Sequence, residues 1–274
     1  MTNTLQNVFA TTKQEKRAAF IPYVMLGYPN EAASLAIAQA MADAGADIIE
    51  LGAPFSDPLA DGATIQKASQ RALENGMTLR KYFQMAEQIA RKTNIPLVMM
   101  GYYNPLLRMG LDEAMRSAAN SGICGCITPD LPVEESLAVI SAGKPYTIAP
   151  IFLAAPSSSD RRLKAIGAAA QEADSGFIYC VSLNGVTGAR AALAEDLPQF
   201  MQRVHVAAPN IPLCVGFGIS KPKHASLAAR YADGVIVGSA LMNAYDEVGA
   251  TDTAAGVKSA EILARRMRAA AVTQ

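Results

Sequence analysis

Glu50 and Asp61 bracket the segment ELGAPFSDPLAD, and two carboxylates so placed could do acid/base chemistry. Glu50 lies in the apolar run DIIELGAP, so a strand's alternation sets its carboxylate among apolar neighbours near the strand's C-terminal end. A carboxylate taken out of water holds its proton more tightly, which suits general acid/base work near neutral pH. An ion pair with a Lys or Arg across the fold is the structural alternative. Asp61 belongs to the polar stretch SDPLADG. Asp-Pro and Asp-Gly are also ordinary turn pairs, because Asp bonds its own backbone and Gly supplies positive φ, and Asp57 reads that way. Should its loop fold back over the strand ends, Asp61 becomes a second, ionised carboxylate. Two carboxylates in unlike surroundings are a recurring acid/base arrangement.

A phosphate signal stands near the C-terminus. One apolar run ends in GFGIS and the next in GSALMNAYDEV, where GS opens a short amphipathic helix. Gly218, Gly238 and Ser239 can present unblocked backbone N–H groups, and a helix N-terminus adds positive potential without a Lys. Tight turns that merely need Gly are the alternative. Other groups are weaker candidates. His205 and His224 read as surface or capping residues, Lys221 and Lys223 as solvated, and no Ser or Cys has an adjacent His to activate it.

These residues need a frame, and the chain supplies one. Eight short apolar runs begin at Phe20, Asp47, Pro96, Ile123, Tyr146, Gly176, Pro212 and Asp233, bounded by Gly, Pro or Asp. They read as buried strands. Segments of helical period lie between them, including EAASLAIAQAMADAG, KYFQMAEQIARK, VEESLAVISAG and DRRLKAIGAAA. Near-continuous apolar strands alternating with helices imply a parallel sheet, and eight strands close into a TIM (β/α)8 barrel. Residues 1–274 are therefore expected to form one barrel domain. An extra helix over Leu5–Ala19 is expected to plug the closed end, and a short helix follows strand eight. Two connections are unusually long, one after the second strand and one from Ser182 to Glu195. Both leave the C-terminal ends of strands, where barrel active sites are built.

Composition narrows the function. Lys+Arg and Asp+Glu are equal at 24 each, which removes the electrostatic case for a nucleic-acid or membrane-surface binder. Two His are too few for a His-rich metal site, so no metal is expected. The four Cys sit in apolar runs without a CxxC, as buried thiols of a reduced, cytoplasmic protein would. No apolar run is long enough to span a membrane.

The stretch ELGAPFSDPLADGATIQKA, with GYYNP, PDLPVEES, SLNGVTGAR, GFGIS and VGSA, resembles the tryptophan synthase α-subunit family across all eight units. The resemblance implies a retro-aldol lyase that cleaves indole-3-glycerol phosphate to indole and glyceraldehyde 3-phosphate. It also implies a β subunit carrying pyridoxal phosphate, with no cofactor in this chain, and an αββα assembly. By motif, Glu50 matches the acid/base group and Asp61 the carboxylate that meets the indole N–H. Tyr179 matches a residue that orients the Glu, and Thr187 a closing-loop hydroxyl that bonds the Asp. Gly188, Gly218, Gly238 and Ser239 match the phosphate cradle. Tyr23, Met100, Tyr102, Ile127 and Phe217 fall where the indole pocket is lined. Pro54, Asp57, Asn104 and Pro132 match the face that docks the β subunit. Ala53, Ala63 and Leu183 depart from many relatives, which carry Val, Pro and Arg there. Ala63 is expected to leave the Asp61 loop freer, since Pro would fix φ. The readings that compete are a standalone lyase releasing free indole, a silent barrel that only activates a partner, and another phosphate-binding barrel such as an isomerase.

Overall fold

The computed structural model describes residues 4–181, 193–216 and 218–272. Eight strands, β1 (Ala19–Met25), β2 (Ile49–Gly52), β3 (Leu97–Met100), β4 (Ile123–Ile127), β5 (Ala149–Ala154), β6 (Ile178–Val181), β7 (Leu213–Gly216) and β8 (Gly234–Val237), follow one another around a closed barrel. Every pairing is parallel, and β8 closes on β1 through Ala19↔Gly234 to Pro22↔Val237. The strands are buried on both faces, which is why they read as continuous apolar runs.

Helices α1 (Thr4–Gln14), α2 (Glu31–Asp43), α3 (Ala63–Glu74), α4 (Leu79–Thr93), α5 (Tyr103–Met109), α6 (Leu111–Asn120), α7 (Leu137–Gly143), α8 (Asp160–Glu172), α9 (Leu193–Ala207), α10 (Pro222–Ala229), α11 (Ser239–Gly249) and α12 (Thr253–Ala270) precede, link and follow the strands. The long connection after β2 is a loop over residues 53–62 followed by two helices, α3 and α4. Three local expectations shift. The fifth strand starts at Ala149 rather than Tyr146, because Lys144–Tyr146 forms a 3-10 turn that ends at Thr147 in the left-handed region (φ 58°). The first helix stops at Gln14, before Lys16 turns left-handed (φ 54°). VEESLAVISAG breaks at Ser136, whose hydroxyl bonds the Val133 carbonyl at 2.7 Å and competes with helix continuation. Among the described residues, no helix is long and apolar enough to cross a membrane.

Alternation along the strands creates two cores. Phe20, Val24, Ile49, Leu51, Leu97 and Met99 face outward and pack beneath the helices. Ile21, Tyr23, Ile48, Val98, Ile151, Phe177, Tyr179, Cys214 and Ile236 fill the barrel. The N-terminal end of the barrel is closed by α1, as the expected plug. Leu5 is fully buried there, and a Cβ on Gly176 would come within 2.3 Å of its Cδ1. The Phe9 ring meets Phe177 edge-on, with centroids 5.9 Å apart. Glycine at position 176 is thus what lets the plug seat.

Two outcomes follow from this packing. Leu5→Ala should lower stability by about 3 kcal/mol in urea unfolding while leaving the opposite, C-terminal mouth intact. Ala63 is the first residue of α3, where the fixed φ of proline is compatible with a helix start. Ala63→Pro should therefore slow amide exchange in the first turn of α3 and add about 0.4–1 kcal/mol of stability.

Candidate active site

Glu50 projects into the barrel from β2, flanked in register by Tyr23 on β1 and Val98 on β3. It is 1% exposed, and neither carboxylate oxygen has a hydrogen-bond partner among the described residues. Among the described residues, the ion pair with a Lys or Arg that its position allowed is not formed. Burial, and next the charge of Asp61, push its pKa up to about 8. The carboxyl therefore holds its proton at neutral pH.

Asp61 is brought over the mouth by the loop that leaves β2. A turn from Asp61 N–H to Pro58 O, at 3.0 Å, reverses the chain, and Gln66 Nε2 donates to the Asp61 carbonyl at 2.9 Å. Tyr102, just beyond β3, holds the carboxylate. Its hydroxyl donates to Asp61 Oδ2 at 2.9 Å and accepts from Ala60 N–H at 3.0 Å. Phe55 stacks on the Tyr102 ring with centroids 5.0 Å apart, and Ser69 of α3 bonds both the N–H and the carbonyl of Phe55 at 2.8 Å. Burial raises the Asp61 pKa to about 6, and the Tyr102 hydrogen bond opposes that rise. Asp61 is therefore ionised at the pH where Glu50 is neutral.

Tyr102 was expected only as pocket lining. Nothing in GYYNP signals its link to a loop 42 positions away, since the contact exists only once β2 and β3 pair. Tyr23, Met100 and Ile127 lie in the barrel interior. Tyr179 also faces that interior, and a Cβ on Gly216 would lie 2.3 Å from its hydroxyl. Glycine at the end of β7 thus leaves space for a tyrosine on β6.

At the end expected to take phosphate, Gly218 follows β7 with φ 76° in the left-handed region and is exposed. Gly238 precedes α11, whose first residue is Ser239 and whose first turn has neither an acidic residue nor a side-chain cap. The N–H groups there remain open to an anion. Thr187, Gly188, Leu183 and Phe217 lie outside the described residues. Pro54, Asp57, Asn104 and Pro132 all sit at the surface, beyond the C-terminal ends of β2, β3 and β4. Asp130 joins the last two segments by accepting from Tyr103 N–H at 3.0 Å. Exposed apolar side chains that the sequence did not single out, Leu59 (92% exposed) and Leu107 (53%), lie in the same segments. Among the described residues, no group of three or more His, Cys, Asp or Glu could hold a metal.

The proton split carries its own signs. A carboxylate whose folded pKa is raised binds its proton more tightly than the unfolded chain does, so stability falls as pH rises from about 4.5 to about 8. Glu50→Gln removes that loss. The variant should melt several degrees above the parent at pH 8, with the gap closing toward pH 4.5. Tyr102→Phe should raise the Asp61 pKa by roughly one unit, read by carboxyl NMR, because the lost hydrogen bond favours the ionised form.

This geometry can be set beside known proteins. The sequence profile described as Tryptophan synthase alpha chain matches residues 9–272. The tryptophan synthase alpha chain of Roseiflexus sp. (strain RS-1) is 46% identical over 244 residues, 89% of this chain and 92% of that relative. That of Chloroflexus aggregans (strain MD-66 / DSM 9485) is 44% identical over 255 residues, 93% and 94% of the two chains. A solved structure of Mycobacterium tuberculosis tryptophan synthase superposes with a TM-score of 0.88 at 38% identity, covering 98% of each chain. A family-wide match in sequence and an agreeing barrel place the two carboxylates in a known context: the chain belongs to the tryptophan synthase alpha chain family.

Proposed function

We propose that this chain is a carbon–carbon lyase that cleaves indole-3-glycerol phosphate by a retro-aldol reaction, giving indole and glyceraldehyde 3-phosphate. The observation that carries the reading is the opposite protonation of Glu50 and Asp61 in one mouth, at about 8 and about 6. Cleavage needs a proton delivered to carbon, a proton removed from oxygen, and a counter-charge at the ring nitrogen. Neutral Glu50 hands its proton to indole C3, and the ring nitrogen becomes positive. Ionised Asp61, oriented by Tyr102, accepts the N–H hydrogen bond and stabilises that charge. The Glu50 carboxylate then takes the proton of the adjacent glycerol hydroxyl. The bond from C3 to the glycerol carbon breaks, its electron pair returns to the ring, and the aldehyde leaves. The phosphate anchors at Gly218, Gly238 and Ser239, with Gly188 as a further contact, through backbone N–H groups and the dipole of α11. Thr187 and Tyr179 act on Asp61 and Glu50 in this scheme.

The partner is a tryptophan synthase β subunit in an αββα complex, docked on the surface around Pro54, Asp57, Asn104 and Pro132. Exposed Leu59 and Leu107 in those segments supply apolar area that suits such a face. The partner's pyridoxal phosphate supplies the chemistry that condenses indole with serine, and this chain needs no cofactor of its own. The cytoplasm is the compartment such a biosynthetic pair would share.

Glu50→Gln should reduce indole production by at least about 10³-fold while binding of glycerol phosphate changes little; turnover near that of the parent overturns the mechanism. Adding a tryptophan synthase β subunit should accelerate indole formation by the parent chain. A standalone lyase would ignore it.

A further inference from the structure

Tyr23 presents a buried donor with almost nothing to donate to. The residue is 6% exposed, and among the described residues its hydroxyl meets only the Met25 sulfur, at 3.9 Å. A thioether is a weak acceptor, so this donor is poorly satisfied for a group out of water. Its strand neighbour Glu50 has the opposite deficit, with two buried acceptor oxygens and no donor among the described residues. The two residues are register partners across β1 and β2, about 4.8 Å apart at their Cα atoms.

The Tyr23 ring leans along the barrel toward the mouth, and its tip covers Gly52. A Cβ at position 52 would fall 2.0 Å from the hydroxyl oxygen and 2.5 Å from Cζ. Positions 50 and 52 point the same way on β2 and are about 6.6 Å apart along it. The hydroxyl thus sits on the mouth side of Glu50, within the sweep of a three-bond side chain. Glycine at 52 is what allows it there.

We propose that the Tyr23 hydroxyl is the donor reserved for the Glu50 carboxylate once Glu50 has lost its proton, which makes Tyr23 a positioning residue for the acid/base group. While Glu50 is neutral, the hydroxyl rests against Met25. On ionisation, the carboxylate turns toward the mouth and accepts from it. The same bond holds the carboxylate on the mouth side, where its next proton must come from. Among the described residues, the titratable groups that interact electrostatically with Glu50 are Asp61 from the loop after β2, Tyr179 from β6, Cys214 from β7, Tyr23 beside it and, from the outer side of β2, Tyr82 of α4. Burial raises the Tyr23 hydroxyl well above the ordinary phenol range, so it stays a donor across the pH range of activity.

Tyr23→Phe tests the pairing, since it keeps the ring and its packing and removes one oxygen. In the ligand-free protein, the protonated-carboxyl infrared band that Glu50→Gln abolishes reports the Glu50 titration. Tyr23→Phe should move that titration up by about one unit, as expected for loss of a donor to the charged form. An unmoved or lowered titration overturns the proposal, as does a shift seen with Tyr179→Phe but not with Tyr23→Phe. The kinetic consequence rests on the retro-aldol reading. There the alkaline limb of kcat should rise by the same amount, with KM within about twofold of the parent, whereas a merely pocket-lining tyrosine would change KM and leave the limb in place. A shifted titration with an unmoved limb upholds the pairing and counts against the retro-aldol reading instead.

Discussion

A carboxylate buried inside a closed barrel, with no partner among the described residues, is the constraint around which this molecule is arranged. Glu50 is buried against apolar strands and tyrosines, and neither oxygen finds a donor among the described residues. Such a group would be destabilising if charged, and it responds by holding its proton. The group is carried by a barrel whose interior and whose layer beneath the helices are otherwise built mainly of apolar side chains. The plug helix matters for the same reason. By closing the N-terminal end with Leu5 and Phe9, it leaves the C-terminal mouth as the way for water or ligand to reach the carboxylate.

The second carboxylate is kept different from the first by a small piece of local architecture. Asp61 is also desolvated, but Tyr102 gives it a hydrogen bond that Glu50 lacks. Tyr102 in turn is fixed by the Ala60 N–H and by the Phe55 ring, which Ser69 clamps from α3. A loop of polar turn residues is thereby made as definite as a strand. Two acids of similar intrinsic strength end up on opposite sides of neutrality because Glu50 is the more fully desolvated and feels the charge of Asp61, whereas Asp61 has a donor.

Space inside the barrel is allotted by glycines opposite tyrosines. Tyr23 lies over Gly52, and Tyr179 over Gly216. In each case the tyrosine on one strand occupies the volume a Cβ would need on the next. Parallel pairing puts inward residues of adjacent strands side by side, so a large residue on one requires a small one on its neighbour. Formal neutrality is compatible with the proposed phosphate anchoring, in which backbone N–H groups and the dipole of α11 would act rather than cations.

The eight strands, the plug helix, the short helix after the eighth strand and the burial of Glu50 were all legible in sequence, because apolar period and Gly or Pro punctuation are local signals. Asp61 was legible only as one of two carboxylates in a turn-rich loop; its separation from Asp57 came from the resemblance and then from the fold. Helix and strand ends near Ser136 and Thr147 were missed because a hydroxyl back-bond and a left-handed residue leave no periodic trace. The sequence by itself thus determined the barrel and the residue types able to move a proton. Only the tertiary structure decided which carboxylate is neutral, that Tyr102 holds Asp61, and that Tyr23 lies beside Glu50 with a hydroxyl to spare. Burial and hydrogen-bond partners are set by strands and loops far apart in the chain, and no local pattern encodes who meets whom.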